Sequence, residues 1–206
     1  MMRLIVGLVG ALVLTGCTAF APATRSVALV GGDVMVDAPA GYCVDTSTSR
    51  PGDGFAVLAP CASLGAEDPA PGVVAVATLQ VGPPDSGSIA GSEIAFRDFL
   101  ITDAGTALLS RNSDAEEISI LSTQAFNSRV MIHFADTGPP PLAGLQQEEW
   151  RAFTDVGGRL VTIGLRGLAV APLDDGPGAG LLKDVLAGVA APAVAEPVPA
   201  VARAGG

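Results

Sequence analysis

Glu148-Glu149-Trp150-Arg151-Ala152-Phe153-Thr154-Asp155-Val156 is followed by Gly157-Gly158 and then by Arg159-Leu160-Val161-Thr162-Ile163-Gly164-Leu165. Both runs carry β-branched and aromatic residues at the density of strands, and a Gly-Gly pair supplies the positive φ values that a two-residue hairpin turn demands. The stretch therefore predicts an antiparallel hairpin. Alternation puts Trp150 with Ala152 on one face and Phe153 with Arg151 on the other. Core packing is the expected role of Trp150, because aromatics make up only 4% of the chain. An exposed Trp or Phe beside Arg would instead be a partner-contact candidate.

Upstream, Thr106 to Ser110, Ile118 to Thr123 and Arg129 to Ala135 read as further strands, spaced as an antiparallel meander. Asp136-Thr137-Gly138 and Pro139-Pro140-Pro141 interrupt them as a loop. In the first half, Val27 to Val30 and Val34 to Val36 flank the turn-prone Gly31-Gly32-Asp33. Tyr42 to Asp45, Phe55 to Pro60 and Val73 to Val81 follow as strands.

Two helices are expected. Ser92 can cap one from Glu93 to about Ile101, with Phe96, Phe99 and Leu100 at i, i+3 and i+4 and Gly105 as its stop. Asp174-Asp175-Gly176-Pro177 starts the second, whose Leu181, Leu182, Val185, Leu186 and Val189 form one apolar stripe. The class is α+β: a mainly antiparallel sheet with a short middle helix and a C-terminal amphipathic helix packed on it.

The chain opens with a different kind of segment. Arg3 gives a short positive region, Leu4 to Leu14 is apolar apart from Gly7 and Gly10, and small residues then precede Cys17. That order is the order of a secretory signal, and a helix over the apolar part would cover only about half of the ~30 Å hydrocarbon core. Leu14-Thr15-Gly16-Cys17 resembles the lipobox of bacterial lipoproteins. The resemblance implies diacylglycerol on the Cys17 thiol, cleavage between Gly16 and Cys17 by signal peptidase II and, often, acylation of the new amino group, with palmitate as the expected label of the lipid. An ordinary signal peptide with a chance cysteine is the alternative. Thr18, where enteric lipoproteins retained at the inner membrane carry Asp, points to outer-membrane sorting on the periplasmic side.

Four segments result: a signal peptide over 1–16, a lipidated tether over 17–26, one α+β domain over 27–191 and a disordered, Ala-, Val- and Pro-rich tail over 192–206. Cleavage leaves 190 of the 206 residues and removes Arg3, taking the formal charge from -10 to about -11. Such a chain is ill suited to nucleic acid or to anionic headgroups, so the lipid must provide the membrane attachment. In element order the mature domain also resembles the PsbP-like fold, named for an extrinsic photosystem protein family. No motif accompanies that resemblance, and no functional residue is carried over from it.

Cys43 and Cys61 are the cysteines that remain after Cys17 is lipidated. In an oxidising compartment a disulfide is expected, with buried free thiols as the alternative and a metal pair disfavoured by their spacing. His133 is the single histidine, and alternation in Val130-Met131-Ile132-His133-Phe134 places it opposite Ile132 and Phe134, as a surface or edge residue. A general base would need a nucleophile and an orienting partner; Asp136 is near, but no G-x-S-x-G is present. The acidic groups Asp114, Glu116, Glu117 and Asp174, Asp175 read as solvated faces or helix starts, without the pattern of a calcium loop. No cofactor motif appears.

Two functions fit. One is a noncatalytic envelope lipoprotein that binds a protein partner or supports an assembly. The other is a small lipid-anchored hydrolase whose site no motif reveals.

Overall fold

The computed structural model describes residues 23–193. Its architecture is α+β, with every strand pairing antiparallel. The hairpin reads as expected. β8 (Glu148–Val156) and β9 (Arg159–Gly167) pair from Val156 opposite Arg159 to Trp150 opposite Leu165, and Gly157 and Gly158 turn at φ 58° and 77°. Positive φ at both central residues matches the right-handed twist of the strands they join.

Around this hairpin lie β3 (Tyr42–Val44), β4 (Phe55–Pro60), β5 (Ala75–Val81), β6 (Ile118–Phe126) and β7 (Arg129–Asp136). The sheet order is β3-β4-β5-β9-β8-β7-β6. It is two meanders that meet at β5 and β9. A second, three-stranded sheet of order β1-β2-β10 is formed by β1 (Ser26–Leu29), β2 (Val34–Asp37) and β10 (Val189–Ala190).

The helices decide which sheet surface is covered. α3 (Asp175–Ala187) and the small sheet lie on one face, where Leu182, Val185 and Leu186 join Leu29, Val36, Leu58, Leu79, Trp150 and Ile163 in the main core. Gly178 lets the first turn of α3 sit on the Trp150 indole, because a Cβ there would overlap the ring. On the opposite face, α1 (Glu93–Leu100) and α2 (Asp103–Ala107) cover the β6-β7-β8 end, burying Ile89, Leu100 and Leu109 against Val130, Ile132, Phe134 and Phe153. No helix among the described residues covers that face over β3, β4, β5 and β9.

One predicted strand is a helix. Thr106 and Ala107 belong to α2, and Gly105 lies within it rather than ending α1. The Thr102 hydroxyl accepts from Gly105 N at 3.2 Å and starts a new turn directly after α1. Gly105 suits that place, because a Cβ would run into the Phe99 carbonyl oxygen and the Leu100 backbone. The short apolar run Thr106 to Ser110 carried no period that separates a strand from one helical turn.

Candidate functional site

β8 carries charged residues to both faces of the sheet. Glu148 and Trp150 point towards α3, while Glu149 and Arg151 point to the other side. Two polar constellations follow from this alternation.

On the α3 side, His133 of β7 stands directly opposite Trp150 of β8. The two rings stack at 4.0 Å between centroids with planes 10° apart. His133 Nε2 lies 3.0 Å from Glu148 Oε2, and Nδ1 lies 3.2 Å from Asp175 Oδ1 in the first turn of α3. His133 is buried, at 4% exposure, which corrects the expectation of a surface or edge residue. The alternation was read correctly, but both faces of β7 are covered, so the side opposite Ile132 and Phe134 is interior as well. Trp150 is also buried, as expected for core. One imidazole nitrogen and one oxygen each from Glu148 and Asp175 lie within 4.8 Å of one another, a set able to hold a divalent ion. Among the described residues no serine or cysteine hydrogen-bonds this histidine, so they supply it no nucleophile–base pair.

On the uncovered side, β4, β5, β9 and β8 form the floor of a groove. Val57, Ala59 and Val76 are its apolar part. One wall comes from the loop between β3 and β4, with Thr48 and Arg50, and the other from the loop between β7 and β8, with Pro141, Leu142 and Leu145. The hollow between them holds about 380 Å³. Gly164 keeps the floor low, since a Cβ there would press on the Glu149 carboxylate at 2.9 Å.

A buried charge network closes one end. Arg166 contacts Glu149 Oε2 at 2.7 Å through Nη2 and Asp136 Oδ2 at 3.4 Å, and its Nη1 donates to the Gln146 and Gln147 carbonyls at 3.1 and 3.0 Å. Arg151 Nε donates to Glu149 Oε1 at 2.6 Å, and its guanidinium lies 5.0 Å from the Phe134 ring centroid. Two cations thus face two carboxylates, and Nη1 of each arginine donates to carbonyl oxygens, which is the condition under which buried charge is tolerated. At the groove rim, hydrogen bonds from Ser47 and Thr48 hold the Asp45 carboxyl below the usual carboxylate range.

Cys43 and Cys61 form a disulfide with Cα atoms 4.8 Å apart. Cys43 sits in β3, and Cys61 lies just beyond β4, where its N–H donates to the Gly41 carbonyl at 2.9 Å. The sulfurs are therefore bonded to each other and not offered to a metal. Asp114 caps a single 3-10 turn by accepting from Glu116 N at 2.9 Å, Glu117 accepts from Ser110 and Asn112, and Asp175 begins α3, so both acidic groups have local structural roles. Gly16 and Cys17, the lipidation and cleavage residues, lie outside the described residues, as does most of the expected tail.

The groove network was missed in the sequence because its members are far apart along the chain. Arg166 and Glu149 are 17 residues apart, and Arg166 and Asp136 are 30. The available signal was an arginine between Leu165 and Gly167 at the end of an apolar strand, a place where burial forces a carboxylate partner to be near.

No family model matches the chain, and no curated protein matches it. Among solved structures it is similar to the Ran-binding protein Mog1p of Saccharomyces cerevisiae, at 12% identity and a TM-score of 0.48, over 82% of this chain and 95% of that one. It is similar in the same degree to a point mutant of protein Mog1, at 12% identity and a TM-score of 0.48, over 80% of this chain and 94% of that one.

Proposed function

We propose that this chain is a lipid-anchored envelope lipoprotein whose folded part is a noncatalytic binding module, taking its ligand or partner in the groove over β4, β5, β9 and β8. The observation that carries the reading is the uncovered half of one sheet face. Over β6, β7 and β8 this face is covered by α1 and α2, whereas here an apolar floor lies between two loop walls and ends at a buried charge network. A concave, mostly apolar hollow with a few fixed polar groups is the usual form of a binding site.

The anchor rests on Leu14-Thr15-Gly16-Cys17 after a short apolar run. Two or three acyl chains give firm attachment, where one alone is marginal. The Cys17→Ala chain should take up no labelled palmitate in cells; continued incorporation would overturn the lipoprotein reading.

The binding face is tested with a photo-crosslinking amino acid at Leu142 on the groove wall and, as control, at Ile94 on α1, both exposed. Adducts formed in cells from Leu142 but not from Ile94 support the groove. Equal yields from both, or none from Leu142, would remove it. A hydrolase is the less favoured reading, because among the described residues neither polar constellation offers a nucleophile beside a base.

A further inference from the structure

The groove has two chemically different ends. Towards β4 it is apolar, with Val57, Ala59, Val76, Leu142 and Leu145 on floor and wall. Towards β8 it opens into an adjoining hollow of about 330 Å³, lined by Arg111 together with Arg151 and Arg166, which both pair with Glu149. Arg166 is fully engaged by Glu149, Asp136 and two carbonyls. Arg151 uses Nε on Glu149 and Nη1 on the Leu109 carbonyl. Arg111 is exposed and, among the described residues, makes no ion pair.

This clustering runs against the whole-chain balance. The chain has 11 basic and 21 acidic side chains, yet this end of the groove gathers three cations against two carboxylates, Glu149 and the Asp136 that pairs with Arg166. Asp45 and Arg50 at the apolar end are of opposite sign and offset one another. The excess positive charge is therefore confined to the β8 end, where an anion would find Arg111 and the outer edge of Arg151 available.

We propose that the groove binds a single-chain amphiphilic anion, its alkyl chain over Val57, Ala59 and Val76 and its head group at Arg111 and Arg151. This rests on the groove being the binding face and adds the class of ligand. Four neighbouring strands at ~4.8 Å spacing make the floor about 14 Å across, which suits a chain of medium length. A carboxylate head meets guanidinium donors that pair with it in a planar, charge-assisted manner.

The test uses the full chain in phosphatidylcholine nanodiscs with a photoreactive diazirine analogue of dodecanoate. Photolysis should label peptides containing Val57 to Ala59 or Leu142 to Leu145, and unlabelled dodecanoate should compete. Arg111→Gln should weaken that competition about tenfold, the loss of one charge-assisted contact. Leu142→Asp, a change at an exposed position, should abolish labelling, because an alkyl chain laid over it would strip water from the carboxylate without giving it a partner. Equal competition by dodecan-1-ol, or an unchanged response in Arg111→Gln, would overturn the recognition of an anion. Labelling confined to other peptides, or unaffected by Leu142→Asp, would overturn the location. If dodecanoate labels nothing while the crosslinker at Leu142 captures a protein, the amphiphile is wrong and the binding face stands.

Discussion

The imidazole of His133 lies flat against the indole of Trp150, from directly opposite positions on β7 and β8. The pair is buried, and the outer side of the imidazole is held by Glu148 and Asp175. His133 thereby ties two strands to the first turn of α3.

His133→Ala should destabilise the fold by about 2 kcal/mol, through the lost stack, a cavity beside Trp150 and the loss of the Glu148 contact. This differs from the small cost expected of an exposed strand residue. Urea unfolding measures it, and the noncatalytic reading requires that the cellular role persist wherever the variant remains folded.

Arg166→Met should cost about 3–5 kcal/mol, because it leaves the buried Asp136 and part of Glu149 without a cation. Adding Asp136→Asn should recover some of that loss, since the two residues share one interaction. A double-mutant cycle by urea unfolding checks this. Strictly additive losses would show that the pair is not coupled.

Reducing the Cys43–Cys61 bond should lower stability by roughly 3 kcal/mol, as expected from opening a loop that spans 18 residues. Thermal melts with and without reductant give the difference. Alkylation of the exported, denatured, unreduced protein should leave both sulfurs unmodified.

Tyr42 is the single tyrosine, so its ionisation can be followed alone by ultraviolet absorbance. Its hydroxyl donates to the Val73 carbonyl at 2.7 Å and accepts from Ala75 N at 3.1 Å, and burial pushes its pKa up to about 12. The folded value lies above the unfolded one near ~10. Its contribution to stability is therefore complete below about pH 10 and is lost as pH rises through about 12. A titration midpoint near 10 in the folded protein would show that the phenol is not confined.

Strand pairing was legible where local chemistry decides it. Gly157-Gly158 could serve a hairpin and little else, and Leu181 to Leu186 could bury one stripe only as a helix on a sheet. The disulfide was legible as well, since Cys43 and Cys61 belong to neighbouring antiparallel strand ends. Thr106 to Ser110 was not, because five residues carry too little periodicity. The burial of His133 depends on α3, which packs on β8 and β9 and brings Asp175 to the imidazole from more than 40 residues downstream. The groove is harder still to foresee: it exists because α1 and α2 cover one end of a sheet face and stop, and an uncovered surface leaves no mark on the strands beneath it.

The small sheet has a mechanical consequence. β1 and β10 flank β2 and run in the same direction, so the described chain enters beside Asp37 and leaves beside Met35, at opposite ends of that central strand. A pull between residues 23 and 193 would slide β1 and β10 lengthwise past β2, straining all the rungs of both ladders together, where peeling would break them one at a time. A body hung from its amino end and tugged from its carboxyl end would meet that load first in these three short strands, before any of it reached the groove.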